Sequence, residues 1–348
     1  MRLLLRRCFA VAAVLLILAI AVVALITWRW QTRPLLAELP IPYADSGDSG
    51  DANGEQVTVT WLGISTLLFD DGETQILTDA TFSRPKLHDL LLFQPLESDY
   101  ATINRALDEF HIDRLAAIIP LHSHFDHVMD AGHVANRTDA MVLGSGSTSN
   151  VARGSRVPVD QYQTLKTGEP RFFGDFTVTL LESRHVPQLP NGNPIFSGVI
   201  TKPLVQPAPV SAWHSDFTYT VLIEHPTGKA IVQGSAGFVA DQLNGVTADA
   251  VFLSIAGLAT QGKAYAEEYW REIVLTTGAR RVYPIHFDDF TFPLGEVALF
   301  PAIVDDIVVT AGWINEFAAA PDEKIEVGLP VFGKPLRPFS SLPPQEVR

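Results

Sequence analysis

The stretch that decides the fold is "IIPLHSHFDHVMDAGH", residues 118–133, in which a short apolar run is followed at once by histidines and aspartates. In an extended chain, residues two apart share a face, so His122 and His124 project together at the end of the predicted strand. Asp126 and His127 follow one turn later. A surface turn has little reason to hold three imidazoles and a carboxylate at this spacing, so the segment predicts a metal site.

The overall composition is typical of a folded protein that acts on a small molecule. Of the 348 residues, 47% are hydrophobic and 18% are charged, which argues against disorder. The formal net charge of −14 leaves no basic stripe for a polyanion, so we expect no nucleic-acid partner. Cys8 is the single cysteine. Any metal must therefore rest on nitrogen and oxygen ligands.

The chain opens with an apolar segment, "MRLLLRRCFAVAAVLLILAIAVVALITWRW", that we interpret as a membrane anchor over residues 1–30. Cys8 to Thr27 is uncharged, and as a helix it would span the roughly 30 Å hydrocarbon layer. Arginines before the run and tryptophans after it predict a single-pass protein of the cytoplasmic membrane, with the remainder on the outer, periplasmic side. A cleaved signal peptide is the alternative. The length of the run and the lack of a small-x-small site favour the uncleaved anchor.

Residues 31–56 are rich in Pro, Gly, Ser and Asp, which predicts a flexible tether before a domain over 57–348. The start of that domain has a hairpin pattern with a turn at "DGET", residues 71–74. Apolar runs predict strands at 115–120, 140–143, 176–181, 218–224, 229–233 and 250–255. Helical stretches are predicted at 100–110, 264–277 and 296–306. This alternation indicates a layered α/β domain.

A proline-rich segment, residues 187–216, interrupts this rhythm and predicts a long irregular loop. Loops of this length in a compact domain tend to be functional, so a lid or a substrate wall is one interpretation. A tolerated surface insertion is the other, and the sequence leaves both open.

"HSHFDH", residues 122–127, matches the H-x-H-x-D-H signature of the metallo-β-lactamase fold, and the resemblance extends over about residues 57–335. It implies a four-layer αββα sandwich with metals along one edge of the paired sheets. That family places a further histidine after a middle strand and another after a late strand; "VTLLESRHVPQ" supplies His185 and "RRVYPIHFDDF" supplies His286. The implied ligands of the first metal are His122, His124 and His185. Those implied around the second are Asp126, His127 and His286.

The stretches "VTWLGISTLLFDDGETQILTDATFSRP", "ADAVFLSIAGL" and "TTGARRVYPIHF" resemble one branch of this family. That branch contains the ascorbate-6-phosphate lactonases and the N-acyl-phosphatidylethanolamine phospholipase D type enzymes. The resemblance implies that Asp79 supports the metal site from beneath.

The chain departs from the family pattern at one position. Where the family places an aspartate that bridges both metals, this chain reads "QGSAGF", with Ser235. A hydroxyl is a poor ligand at neutral pH, so two outcomes stay open: a single zinc on three histidines, or a pair of zinc ions completed by an anionic substrate or a nearby carboxylate. Asp288 and Asp289 are candidates for that carboxylate, although we expect surface solvation for each.

The function that the resemblance implies is hydrolysis of an ester, lactone or phosphodiester bond by a metal-bound hydroxide, with Asp126 as the catalytic residue that orients the hydroxide or takes its proton. The cofactor is one or two zinc ions per chain. The substrate is a small or lipid-derived molecule, to which His214 is a candidate contact. His133 is expected to lie outside the ligand set. The alternative is a non-catalytic metal-binding or sensory module with a degenerate site, which Ser235 favours.

Overall fold

The computed structural model describes residues 2–45, 57–320 and 325–339, which form a mixed α/β fold. The strands in chain order are β1 (Thr58–Trp61), β2 (Leu67–Asp70), β3 (Gln75–Thr78), β4 (Pro95–Leu96), β5 (Leu115–Ile119), β6 (Met141–Gly144), β7 (Tyr162–Thr164), β8 (Pro170–Phe173), β9 (Phe176–Ser183), β10 (Ala208–Pro209), β11 (Thr218–His225), β12 (Gly228–Gln233), β13 (Ala250–Ser254), β14 (Arg281–Ile285), β15 (Glu326–Val327) and β16 (Pro335–Leu336).

The α-helices are α1 (Arg2–Gln31), α2 (Leu87–Leu91), α3 (Tyr100–Glu109), α4 (Phe125–Val128), α5 (Ala131–Thr138), α6 (Gly146–Gly154), α7 (Leu258–Gln261), α8 (Lys263–Trp270) and α9 (Ile307–Ala318). A π-helical turn, Arg271–Leu275, continues α8, and short 3-10 turns cover Leu36–Glu38 and Val210–Ala212.

The strands form two seven-stranded sheets and one small pair. The first sheet has the order β16-β1-β2-β3-β5-β6-β7, and the second has the order β15-β14-β13-β12-β11-β9-β8. In the predicted hairpin, β2 and β3 pair antiparallel, with Leu67 opposite Thr78. The hairpin prediction is therefore confirmed, and each of the predicted strands overlaps an observed one.

Period-two alternation along β5 divides its side chains between two cores. Ile119 belongs to the core that also holds second-sheet residues, while Ile118 belongs to the core that holds Ile103 of α3. Contact between the sheets is direct, since the rings of Phe69 and Phe252 meet edge-on with centroids 5.7 Å apart. Each large apolar side chain buried in this way contributes about 1.5–3 kcal/mol.

The helix predicted at 296–306 is wrong. Helix α9 begins at Ile307, where the Asp306 carboxylate caps it by accepting the Val309 N–H at 3.2 Å. The preceding segment folds back on the chain instead, because the Asp289 N–H donates to the Ala298 carbonyl oxygen at 2.7 Å. Such a contact between distant backbone groups leaves no periodic signal in the sequence.

The predicted tether differs from the structure in its first part. Leu39 and Ile41 are buried in the larger core, and the Leu329 N–H donates to the Pro42 carbonyl oxygen at 2.8 Å. Residues 46–56 lie outside the described residues. Apolar residues scattered among prolines supply enough burial to hold this segment in place, although they show no periodic pattern.

Helix α1 is the feature that bears on localisation. Its part Val11–Gln31 is long and apolar enough to cross a membrane, and a signal sequence would have the same properties. The apolar side chains described from Phe9 to Trp28 are exposed, Phe9 to 74%.

Candidate metal centre

The turn after β5 presents the first pair of histidines. The Leu121 N–H donates to Asp79 Oδ1 at 2.8 Å, which fixes the chain just beyond the strand end. His122 lies in the turn, and His124 stands directly before α4 with extended backbone, φ −70° and ψ 155°. Helix α4 then carries Asp126 and His127. The short motif therefore becomes a strand, a turn and one helical turn that all face the same point.

His185 follows β9, and a close backbone approach holds it there. A Cβ added to Gly237 would lie 2.2 Å from the Arg184 carbonyl oxygen, so only glycine fits against this segment. The Ser235 hydroxyl oxygen accepts the Val186 N–H at 3.0 Å. Ser235 thus positions the backbone next to His185.

His286 follows β14 in the left-handed region, with φ 57°. This conformation is uncommon for a residue with a side chain. The His286 N–H donates to the Ile64 carbonyl oxygen at 2.9 Å, which ties the end of the second sheet to a loop of the first. The strained backbone aims the imidazole back towards the histidine turn.

The first cluster contains His122, His124 and His185, whose ligand atoms lie within 4.8 Å of one another. The Nε2 of His122 and the Nδ1 of His124 are 3.1 Å apart. The Nδ1 of His185 is 2.8 Å from the Val186 carbonyl oxygen, to which it donates as N–H. That assignment leaves the Nε2 of His185 with its lone pair free.

The second cluster adjoins the first through His122. Asp126 and His127 share a 4.8 Å group with His122, and the Nε2 of His127 is 3.6 Å from Asp126 Oδ2. The Nε2 of His286 lies 3.3 Å from the Nε2 of His127 and 3.6 Å from Asp126 Oδ2. Asp79 Oδ2 accepts the Nδ1–H of His127 at 2.7 Å, which aims the Nε2 of His127 at the cluster. Burial lowers the pKa of His127, but Asp79 and Asp126 outweigh it, so the net shift is upward.

Burial sets the protonation of this site. It lowers the pKa of His124 to about 4 and of His185 to about 3, and together with the neighbouring imidazoles it lowers the pKa of His122 well below its usual value. Burial raises the pKa of Asp126, but His127 and His286 outweigh it, so the net shift is downward. At neutral pH the three imidazoles of the first cluster are neutral and Asp126 is ionised, which are the protonation states of metal ligands.

These donors fit a zinc-sized cation. Two ligand nitrogens about 2.05 Å from a tetrahedral zinc ion stand about 3.3 Å apart. The observed separations are 3.1 Å between His122 and His124 and 3.3 Å between His127 and His286. The spacing of these ring nitrogens therefore fits two ligands on one zinc-sized cation.

A cavity of about 760 Å³ opens over the two clusters. His124, Asp126, His185 and His286 form part of its lining, together with Ser235. The long loop contributes Pro187, Gln188, Leu189, Ile195 and Phe196. The structure thus favours the substrate-wall interpretation of that loop over a surface insertion.

Asp305 also lines this cavity, and sequence reasoning missed it. Its Oδ2 accepts the Gly257 N–H at 2.7 Å, while Oδ1 is buried with no hydrogen-bond partner among the described residues. Burial raises the pKa of Asp305 to about 6. The sequence gives no sign of this role, because Asp305 is simply the first of two adjacent aspartates before α9. The second, Asp306, is the helix cap.

Two further histidines considered in the sequence, His214 and His133, lie outside the two clusters. His214 is not among the residues that line the cavity; its backbone carbonyl oxygen accepts the Ser123 hydroxyl at 2.7 Å. His133 stacks on Tyr100 with ring centroids 4.1 Å apart, outside both clusters, as expected.

Asp288 and Asp289 are not surface residues, in contrast to the expectation, because each has an internal partner. Asp288 Oδ1 accepts the Ile64 N–H at 2.8 Å, and Asp289 pairs with Arg33 at 2.5 Å.

Neither a scan against protein-family models nor a search of curated proteins found a match. Solved structures do match. YhfI from Bacillus subtilis, a metallo-β-lactamase fold protein, is 15% identical with a TM-score of 0.47, and the alignment covers 81% of this chain and 100% of that one. Igni18 from Ignicoccus hospitalis, a metallo hydrolase, is 16% identical with a TM-score of 0.44, covering 81% and 97%. CmlA from Streptomyces venezuelae, a diiron β-hydroxylase, is 14% identical with a TM-score of 0.49, covering 81% and 54%.

The structural neighbours thus include a metallo hydrolase, a metallo-β-lactamase fold protein and a diiron β-hydroxylase. Identities this low, with TM-scores below 0.5, assign neither a reaction nor a metal to this chain.

Proposed function

We propose that this chain is a zinc-dependent hydrolase of an ester, lactone or phosphodiester bond, held at the cytoplasmic membrane by α1. The observation that carries the proposal is the pair of adjoining histidine clusters, in which ring nitrogens lie 3.1–3.3 Å apart and from which His124, His185 and His286 line one cavity. The proposed fold is the four-layer αββα sandwich. One core shared by the two sheets and a second between the first sheet and its helices support that arrangement.

The chain's own residues supply the rest of the site. His122, His124 and His185 would hold the first zinc ion; Asp126, His127 and His286 surround the second position. When bound, zinc lowers the pKa of a coordinated water and polarises the bond to be cleaved. Asp126 keeps its negative charge because of the histidines beside it, so it orients the water by accepting a hydrogen bond more readily than it takes up a proton.

Asp305 is the group best suited to carry a proton in this cavity. Its Oδ1 is unpartnered among the described residues, and burial raises its pKa to about 6, so a fraction of the side chain is protonated near neutral pH. We propose that Asp305 Oδ1 protonates the leaving group. Nothing in the linear sequence places this residue beside the histidines.

Ser235 bears on how many zinc ions the site retains. Its hydroxyl oxygen already accepts the Val186 N–H, and a neutral hydroxyl adds no charge to offset a second cation. We propose one firmly held zinc ion on His122, His124 and His185, with the second position filled more weakly. An anionic substrate would strengthen that second position.

The cavity indicates the kind of substrate. Phe290, Phe300, Ile195 and Val304 give it a largely apolar wall, while the histidines and carboxylates form its polar floor. We propose a small or lipid-derived molecule with an apolar portion, in keeping with the lactonase and phospholipase D type branch that the sequence resembles.

The competing proposal is a non-catalytic metal-binding or sensory module, and Ser235 is the residue that favours it. The two proposals differ in their response to zinc and to Asp126. The test is hydrolysis of a panel of lactones, carboxylic esters and phosphodiesters by the full chain in detergent, before and after zinc is supplied.

Zinc-dependent turnover that falls at least 100-fold in Asp126→Asn and stays within twofold in the control His133→Ala would support the hydrolase. Zinc binding without turnover of any substrate on the panel would support the binding module.

A further inference from the structure

We infer that the mouth of the site cavity is a membrane-docking surface that lies against the same bilayer as α1. The inference rests on the anchoring part of the proposed function and goes beyond it, because anchoring alone leaves the orientation of the domain open. The partner of this surface is a lipid bilayer.

The end of the anchor is joined to one wall of the cavity. Helix α1 ends at Gln31, and the Arg33 guanidinium donates to Asp289 Oδ2 at 2.5 Å and to the Leu299 carbonyl oxygen at 2.9 Å. The same guanidinium lies over the Phe292 ring, 4.9 Å from its centroid. Two residues of chain span at most about 7 Å, so the segment from Asp289 to Leu299 is held beside the membrane end of the helix.

That segment is continuous with the site. Phe290 and Phe300, which border the Arg33 contacts, pack on each other with ring centroids 5.4 Å apart and both line the cavity. Phe290 also contacts Phe125, the residue between His124 and Asp126, at 5.9 Å. The anchor is therefore separated from the cavity by a few packed side chains and not by a flexible linker.

Exposed apolar side chains line this cavity, contact its wall, or stand next to such residues in the chain. They come from α2 and the two residues after it, from the long loop, and from the chain before α9, and we call them the mouth patch: Leu91, Leu92, Phe93, Leu189, Ile195, Ile303 and Val304.

Four members of this patch have a direct tie to the cavity. Leu189, Ile195 and Val304 line the cavity, and Phe93 packs edge-on against Phe196 of the cavity wall, centroids 6.4 Å apart. The exposed fractions of Leu92 and Phe93 are 65% and 59%. A contiguous apolar patch of this kind marks a protein or membrane contact, and the position of the anchor favours the membrane.

Docking of this surface sets the route of the substrate. A molecule with an apolar chain could pass from the bilayer into the cavity with its chain along Ile195, Phe290 and Phe300. Its polar group would then meet the histidines and Asp126 without crossing bulk water. The apolar chain would leave the lipid only to enter another apolar environment, which avoids the cost of its hydration.

The test uses the full chain reconstituted in vesicles of three parts phosphatidylcholine to one part phosphatidylglycerol. In a Cys8→Ser background, single cysteines at Phe93 and Ile303 report the mouth patch, and one at Leu18 reports the anchor. Phe172, 73% exposed, is the matched control. It pairs with Thr177 on β9, about 20 Å along the strand from the end that leads to His185. Each cysteine carries an environment-sensitive fluorophore, which is quenched by a lipid-borne nitroxide or by aqueous iodide.

We expect Phe93→Cys, Ile303→Cys and Leu18→Cys to be quenched at least threefold more by the nitroxide than Phe172→Cys is. A lipid-buried label at Leu18 with iodide-quenched labels at Phe93 and Ile303 would overturn the inference and leave the anchor intact. A water-exposed label at Leu18 would overturn both. Zinc content measured on the same samples reports the hydrolase site separately, and its retention shows that each variant is folded.

Discussion

Replacing Asp79 by Asn tests whether the site is built to bind metal. Asp79 is fully buried, and its Oδ2 accepts the Nδ1–H of His127 at 2.7 Å, which leaves the Nε2 of His127 as the nitrogen that faces the cluster and can bind metal. An Asn that turns its amide towards His127 donates to Nδ1 instead. The proton of the neutral ring then moves to Nε2, where it blocks metal binding.

The size of the effect follows from the contacts of this side chain. The Asn oxygen still accepts the Leu121 N–H, and Asn tolerates the φ of 55° at this position, so the fold is preserved. Loss of such a supporting carboxylate lowers metal affinity by about 10- to 100-fold, or about 1.4 to 2.7 kcal/mol. Asp79→Ala would in addition leave two buried donors unpaired, at a further cost of about 1–3 kcal/mol each in folding free energy.

The assay is competition for zinc between the full chain and a chelator of known affinity. The matched control is Asp130→Asn: this carboxylate is equally buried, but its partners are the Phe82 and Ser83 backbone and the Ser83 hydroxyl rather than a histidine. We expect the zinc dissociation constant to rise in Asp79→Asn only. An unchanged constant, or an equal rise in the control, would refute the tautomer argument.

The remaining predictions concern stability, charge and packing. Burial raises the pKa of Asp305 from 3.8 to about 6, so its contribution to the stability of the zinc-free protein is present below pH 4 and is lost as pH rises to about 6. Asp305→Asn should therefore raise the unfolding free energy at pH 8 by about 1–3 kcal/mol in a denaturant titration, with a smaller gain at pH 4; equal gains at both pH values would contradict this. Ser235→Asp should raise the zinc content measured by mass spectrometry from about one ion to two, because it adds the missing negative charge; no increase would contradict that reasoning. Gly237→Ala should lower the midpoint of thermal unfolding, since its Cβ would lie 2.2 Å from the Arg184 carbonyl oxygen, at a cost of about 1–3 kcal/mol; a midpoint equal to that of Gly146→Ala, a glycine with open space around it, would show that the backbone moves aside.

The local sequence pattern was sufficient to predict many of the strands and the histidine turn at the centre of the site. The strand before His122 and the hairpin after Trp61 have strong period-two or continuous apolar signals, and both are present. Spacing alone placed His122 and His124 on one face. His185 and His286 are far away in the sequence, and only the family resemblance connected them with the motif.

The features that were missed are nonlocal. Arg33 and Asp289 are 256 positions apart, and the pairing that holds the chain after α1 beside the cavity has no sequence period. Because residues 289–300 fold back on the chain, the segment predicted as a helix at 296–306 is a loop. In the sequence, Asp305 and Asp306 are equally good candidates for the cap of α9. Only the tertiary structure shows that Asp306 caps the helix while Asp305 lines the cavity.

The most direct test of the central claim is the zinc content of the purified full chain, measured by mass spectrometry alongside His122→Ala and His133→Ala. His122 belongs to both clusters, whereas His133 stacks on Tyr100 and belongs to neither. We predict about one zinc ion per chain, its loss in His122→Ala and its retention in His133→Ala. Zinc that is absent from the unmodified chain even after it is supplied, or that survives in His122→Ala, would contradict the account.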